Sequence, residues 1–543
     1  MTARRTKTLF LIASVSTFVG ITPAASATQP NAVPELTEEV IEFAAADLST
    51  SDVVGPMQGG ILVRIKRIWR KSWVVGLAVL IMHIIGFTSS IHAVMSTRTS
   101  QGAIAWIISL NTFPYIAVPA YWILGRSKFR GYVTARHDDD ERLRQVLQDL
   151  PSGVDSFRVD LAAEHPDAAA LEKLAKMPFG SGNDAELLID GDATFNSIFE
   201  GIRQATDYVL VQFFIVKDDE LGRTLQAELI AKANEGVRVY FMYDEIGSHK
   251  LPKAYLRELR SAGAEAFSFH TTKGPRNRFQ INFRNHRKIV VVDGRTAWIG
   301  GHNVGDEYMG RDPKFGRWRD THVKITGPIA LGAQLSFLED WYWATHTVPE
   351  LNWQPVPSDS ADLDVLIIPS GPADTLETAG LMFMHAITAA QRRVWIASPY
   401  FVPDESVMAA LQLAGLKGVD VRILIPDKPD HLLVYLTAFS YFDDAGHTGV
   451  KFYRYTDGFL HQKVILVDDI VAGIGTANFD NRSFRLNFEI TAIFVDSAFT
   501  SEVEAMFLED FAGSRQMMPG DYDDKSFWFR LAVRLARLTA PIQ

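Results

Sequence analysis

The sequence predicts an α/β protein of two similar α-β-α domains with a central site between them, preceded by a transmembrane helical hairpin. Three observations predict this. Two long uncharged apolar runs lie near the N-terminus, strand-like and helix-like segments alternate from about residue 183 onward, and one polar motif recurs 175 positions later. At 543 residues the chain is too long for one ordinary core, so more than one domain is expected. It has no cysteine, which excludes disulfides, thiol catalysis and cysteine-ligated zinc or iron–sulfur centres. A formal net charge of -10, from 54 basic and 64 acidic residues, argues against a nucleic-acid partner, which calls for a concentrated basic surface.

The first apolar run, Trp73 to Met95, exceeds the ~20 residues needed to cross a bilayer as a helix. The second, Ala103 to Leu124, is interrupted by Asn111, Pro114 and Pro119, where a kink is expected. Arg64, Lys66, Arg67, Arg70 and Lys71 precede the pair, and Arg126, Lys128 and Arg130 follow it, whereas the loop between holds only Arg98. Basic flanks stay in the cytoplasm, so both ends of a hairpin, and everything after Leu124, are expected there. The extreme N-terminus conflicts with this, since a basic start, an apolar stretch and Ala25-Ser26-Ala27 follow signal-peptide grammar. The larger basic cluster favours the hairpin orientation. The expected divisions are an N-terminal extension with the signal-like segment (1–56), a two-helix membrane anchor (57–130), a linker (131–182), a first domain (183–355), a second domain (356–525) and a C-terminal amphipathic segment (526–543).

In the first half DYVLVQFFIV reads as a strand, LGRTLQAELIAKANEG as a helix and VRVYFMYDEIG as the next strand; in the second, RRVWIASPYFV, ESVMAALQLAGLKG and VDVRILIPD repeat that order. Fully apolar strands alternating with helices predict a mostly parallel sheet covered on both faces, with the site beyond the strands' carboxyl ends. Both halves close alike, on FLEDW at Phe337 to Trp341 and FLEDF at Phe507 to Phe511.

The motif itself is NHRKIVVVDGRTAWIGGHN in the first half and LHQKVILVDDIVAGIGTAN in the second. It places His286, Lys288, Asp293, Gly300, Gly301 and Asn303 in register with His461, Lys463, Asp468, Gly475, Thr476 and Asn478. Residues i and i+2 of a strand share a face, so each histidine and its lysine can enter one site. Two imidazoles, two ammonium groups and two amides suit an anionic phosphodiester. The lysines and amides hold non-bridging oxygens, one imidazole attacks phosphorus, and the other protonates the departing oxygen. Each aspartate could accept from a histidine and fix its tautomer, a contact that strand spacing alone does not establish. The lysines beside the histidines oppose a bound cation, so no metal is expected.

This pattern resembles the phospholipase D superfamily, whose signature is HxK, four residues, D, six residues, G-small-x-N. Both copies match it, and the resemblance covers the chain from about residue 183 to the end. Within the superfamily the chain resembles bacterial cardiolipin synthases, on the N-terminal hairpin, NFRNHRKIVVVDG, RWRDTHVKITGP, IASPYFVPD and GTANFDNRSFRLNFE. The resemblance implies a phosphatidyl-histidine intermediate, with His286 assigned as nucleophile and His461 as acid/base, and with Asp293 and Asp468 as orienting carboxylates. It implies a phosphatidylglycerol donor and acceptor, released glycerol, anionic membrane lipid as partner and no cofactor. It also implies the bacterial inner membrane, spanned more than once. The residue chemistry alone equally allows water as acceptor, which would make phosphatidic acid.

Candidate supports follow each motif: Gly305, Asp306, Glu307 and Tyr308 after Asn303, and Asp480, Arg482, Ser483, Asn487 and Glu489 after Asn478. Glu489 matches an acidic position of the family. Asp320 and His322 are expected near the first site, Asp244 at a strand end by the cleft, and Tyr400 and Pro403 similarly in the second half. The C-terminal SFWFRLAVRLARLTAPIQ, with Arg530, Arg534 and Arg537, suits either an interfacial helix on anionic lipid or a helix packed on the core.

Overall fold

The computed structural model describes residues 58–125, 128–129, 132, 154–161, 168–270, 282–518, 520–522 and 524–543. The signal-like segment and most of the expected linker lie outside the described residues. The chain divides into two compact units, Met1–Leu77 and Ala78–Gln543. What is described of the first is the start of the helix Gln58–Ser96.

Fifteen strands of the second unit form a continuous path across one sheet. From one edge they are Glu265–Phe269, Arg238–Asp244, Tyr208–Phe213, Ile289–Val292, Thr296–Gly300, Thr321–Thr326 and Gly180–Ile189. The path continues through Leu363–Ser370, Asn487–Val495, Val471–Gly475, Val464–Val467, Arg393–Ala397, Asp420–Pro426, Lys451–Tyr455 and Ser514–Gln516. The halves are therefore the two ends of a single sheet, joined where Gly180 pairs with Val365 and Asn183 with Leu363.

Parallel pairing on this path is confined to three strands toward the outside of each half, so the expected mostly parallel sheet is corrected to a mixed one. The reason is a hairpin inside each motif. Asp293 and Gly294 take φ of 52° and 70°, and Val292 pairs with Thr296. Asp468 takes φ of 50°, and Val467 pairs with Val471. Such tight turns leave no room for a crossover helix, so the strands they join are antiparallel.

Alternation along the strands distributes the core. Ile289 and Val291 join a layer shared by both halves and covered by the FLED helices through Phe337, Trp341 and Phe507. Val290 and Val292 point to the other face, into a separate cluster with Phe195, Leu225 and Trp298.

The helix segment Trp73–Ser96 is long and apolar enough to cross a membrane. The second apolar run departs from one crossing helix. It forms two short helices, Ser100–Thr112 and Pro114–Leu124, that break at Phe113, immediately before Pro114. They fold back on each other, with the Trp106 and Tyr121 rings 5.2 Å apart. Asn111 reaches Ser90, while Tyr121 returns to His92 and lies 3.2 Å from Ser96. Leu124 thus comes back to the Ser96 end of the long helix. There Arg98 pairs with Glu377 at 2.9 Å, and Lys128 donates to the carbonyl of Thr375. Single cysteines at Ser100 and at exposed Lys417, in a chain with none of its own, are expected to label from the same face of sealed vesicles. A complete hairpin would place them on opposite faces.

Candidate active site

Each motif histidine follows a short bridge to the other half. Arg284–Asn285 pairs in parallel with Asn487–Phe488, and Phe459–Leu460 pairs in parallel with Trp318–Arg319. The next backbone link is reciprocal: His286 N donates to Phe488 O at 2.9 Å, and His461 N donates to Arg319 O at 2.8 Å. One residue further along each partner strand stands a carboxylate. His286 Nδ1 lies 2.9 and 3.0 Å from the two Glu489 oxygens, and His461 Nδ1 lies 2.7 Å from Asp320 Oδ2. Each half therefore supplies the acid that orients the other half's imidazole.

These carboxylates are held from below. Glu489 also accepts from Thr476 Oγ1 at 2.5 Å, Ser483 Oγ at 2.8 Å and Asn487 Nδ2 at 3.2 Å. Burial would raise its pKa, but His286, Lys288 and the Thr476 hydroxyl hold it below the ordinary carboxylate value. Asp320 accepts from Thr321 N at 2.9 Å and packs against Gly301, where an added Cβ would stand 1.9 Å from its Oδ1. The small motif position thus leaves room for the carboxylate in one half and supplies a hydroxyl donor in the other.

Lys288 Nζ donates to the His286 carbonyl at 2.6 Å, and Lys463 Nζ donates to that of His461. The four groups share one electrostatic environment, since both lysines lower the basicity of both histidines. Burial among rings is the larger cause. Phe214 lies 5.1 Å from the His286 ring, and Trp318 lies 5.1 Å from that of His461. It brings His286 down to about 4 and His461 well below its ordinary value, so both imidazoles are neutral at neutral pH. With Nδ1–H donated to a carboxylate, each Nε2 keeps its lone pair. Burial likewise lowers Lys288 well below its ordinary value and Lys463 to about 8.

The structure corrects the expectation for Asp293 and Asp468. Four strand residues, ~13 Å, separate each histidine–lysine pair from its aspartate, which sits at the far turn. Asp293 accepts from the backbone N–H groups of Thr206, Asp207 and Tyr208 at 2.8–2.9 Å. Asp468 accepts from those of Gln391, Arg392 and Arg393 at 2.8–3.0 Å. Both anchor the start of a neighbouring strand.

Asn303 accepts from Ile215 N and donates to the Tyr308 hydroxyl; buried Asn478 has an unpartnered Oδ1. Tyr308 lies 6.4 Å from the His461 ring, whereas Asp306 caps a helix start through Leu221 N and Glu307 pairs with Lys217. Asp244 accepts from Asn285 N, directly before His286. Asp480 caps Ser483 N, Arg482 binds the C-terminal residue, and Tyr400 donates to Asp430. His322 lies 3.2 Å from His302 in a buried pair; burial first, then the charges of Lys288 and Lys463, bring it down to about 3, so it stands beside the site as expected.

Sequence reasoning missed the aspartates of the FLED repeats. Asp340 accepts from Arg287 and Asn285, on either side of His286, and Asp510 accepts from Gln462, next to His461, and from Arg319. The repeated acid at one helical position was the available signal. Among the described residues no group of three or more histidine or acidic side chains could hold a metal ion.

A family model described as cardiolipin synthase, PLD-like domain, matches residues 198–313 and 383–511, one segment in each half. A cardiolipin synthase A of Pseudomonas fluorescens SBW25 is 49% identical over 466 residues, covering 85% of this chain and 97% of its own. The chain belongs to the cardiolipin synthase family. A cardiolipin synthase A of Pseudomonas putida KT2440 is 48% identical over 467 residues, covering 85% of this chain and 96% of its own. Among solved structures, a phosphatidylserine synthase of Haemophilus influenzae aligns over 69% of this chain and 100% of its own, with TM-score 0.51 and 16% identity. That likeness is one of fold, and the two-half PLD-like architecture of the family is the one seen here.

Glu489→Gln and Asp320→Asn are each expected to lower kcat by about 10²- to 10⁴-fold with little change in Tm. Asp293→Asn is expected to do the reverse, costing about 1–3 kcal/mol of stability while kcat of the folded protein changes little. Turnover measured beside thermal melts of the three variants checks the division.

Proposed function

We propose that the protein makes cardiolipin by transferring a phosphatidyl group from one phosphatidylglycerol to the hydroxyl of another, with release of glycerol. The observation that carries the chemistry is the pair of neutral, carboxylate-backed imidazoles beside two buried lysines. Membership in the cardiolipin synthase family supports the choice of lipid acceptor over water.

In the first step His286 Nε2 attacks phosphorus and the phosphorus–oxygen bond to the headgroup glycerol breaks. His461, made more basic when the anionic phosphodiester enters, carries the proton that passes to the departing glycerol oxygen. In the second, neutral His461 takes the proton of the incoming hydroxyl, its oxygen bonds to phosphorus, and the phosphorus–nitrogen bond to His286 breaks. Lys288 and Lys463 offset charge on the non-bridging oxygens. The assignment of His286 as nucleophile draws on Glu489, whose ionised, multiply bonded carboxylate opposes the positive charge of a phosphoimidazole.

Purified protein with phosphatidylglycerol labelled separately on its headgroup glycerol and acyl chains is expected to yield labelled cardiolipin and free glycerol. Phosphatidic acid with glycerol and no cardiolipin would make it a hydrolase using the same site. His461→Ala is expected to retain phosphorylation of His286 from phosphatidyl-p-nitrophenol, whose leaving group needs no acid, while His286→Ala loses it. The opposite pattern exchanges the two roles.

Lys463 adds a pH dependence with a definite sign. Its charge is lost as pH rises through about 8, so kcat/KM is expected to fall above that value. Its proton persists in the unfolded chain up to its ordinary 10.5, so this group makes the fold more stable from 8 toward 10.5. Activity lost there with Tm unchanged or raised supports titration of the site; a parallel fall in Tm would refute it.

A further inference from the structure

The C-terminal helix Phe527–Arg537 presents three faces, of which the body covers one and touches a second through Arg537. Val533 and Ala536 are buried, and the Phe529 ring lies 5.2 Å from that of Phe439 on the neighbouring helix Leu432–Gly446. At 3.6 residues per turn Arg530, Arg534 and Arg537 form the next stripe. Arg537 is engaged by the Ser440 carbonyl and Asp444, whereas Arg530 and Arg534 are exposed and make no ion pair among the described residues.

Beyond the arginines runs an apolar ridge: Phe527, Trp528, Leu531, Leu535 and Leu538 are 64%, 75%, 38%, 56% and 76% exposed. Leu432 and Leu433 on the neighbouring helix are exposed as well. The expected alternatives of an interfacial or a packed helix thus fall on different faces of the same element. An uncovered ridge of this size marks an interaction surface.

A line of contacts indicates what covers it. Arg482 N donates to the C-terminal Gln543 carbonyl at 2.7 Å. Three residues on in the same short helix, Arg485 pairs with Asp404 at 2.5 Å and with Glu377 at 3.1 Å. Those two carboxylates also take Arg98, just past the end of the apolar helix Trp73–Ser96. The C-terminal segment is therefore fastened to the end of the body where the apolar helix arrives. Free arginines bordering the ridge suit anionic headgroups. A second copy would bring the same arginines against each other.

We propose that the ridge Phe527, Trp528, Leu531, Leu535 and Leu538 lies in the interfacial layer of an anionic bilayer, with Arg530 and Arg534 at the headgroups. It is a second membrane contact beside the apolar helix, and it holds the body against the lipid surface. The inference does not depend on which lipid or nucleophile the active site uses.

The test uses the full chain in nanodiscs of phosphatidylglycerol and phosphatidylcholine, with a fluorophore on a single Leu535→Cys. Quenching by lipids brominated near the headgroup, absent from the same fluorophore on Lys417→Cys, is expected. Absence of quenching at 535, or energy transfer between two copies labelled there, would overturn the proposal. Arg530→Glu with Arg534→Glu is expected to lower phosphatidyl transfer on vesicles by about tenfold, leaving it unchanged in detergent micelles. An equal loss in both assays, or none in either, would also overturn it.

Discussion

The exchange of carboxylates between halves is the constraint on which the site depends. His286 is oriented by Glu489 and His461 by Asp320, and each pairing is set in register by a two-residue parallel bridge that crosses from one half to the other. Neither half holds a complete pair. Duplication has thus produced one site with two dependent parts, as the proposed transfer needs, with one imidazole to bond phosphorus and the other to move a proton.

Holding such groups in a dry interior is unfavourable, and the surrounding structure shows how it is managed. The histidines are neutral, while each lysine lies against its own histidine's carbonyl. Beneath them Arg287 with Asp340, and Arg319 with Asp510, form buried ion pairs with further hydrogen bonds from Asn285 and Gln462. Removing one partner of such a pair leaves an uncompensated buried charge, typically at a cost of about 3–5 kcal/mol. The aspartates of these pairs come from the FLED helices, so the layer that covers the shared core also fixes the segments beside the histidines. An arriving phosphodiester would supply the negative charge for which the lysines are poised.

The apolar region follows the same logic of satisfied backbone. Pro114 has no N–H to continue the helix, and the chain turns at Phe113 and returns along its own path, packing Tyr121 and Trp122 against His92. Both Arg98 and Lys128 then reach the segment 374–377. A charge-based reading treats each apolar run as one crossing, because loop charge carries no information about whether a helix reaches the far side.

What the amino-acid order determined by itself was local or repeated. The duplicated HxK pairs, the 175-residue offset, the apolar strands and the amphipathic C-terminus are written in spacing and period. So was the first hairpin, in Asp293-Gly294, although apolar strands between helices pointed instead to parallel pairing. Tertiary structure alone decided which acids serve the histidines. Asp293 and Asp468 sit at matched positions inside the motif, yet an extended strand carries them to the opposite end, where strand-start N–H groups take up their charge. Asp320 and Glu489 are 169 positions apart rather than 175, and one is a methylene longer, so the repeat that exposed the histidines concealed their partners. A hydrogen bond spanning 203 or 141 residues leaves no period in a sequence; it exists only once the two ends of the sheet are joined.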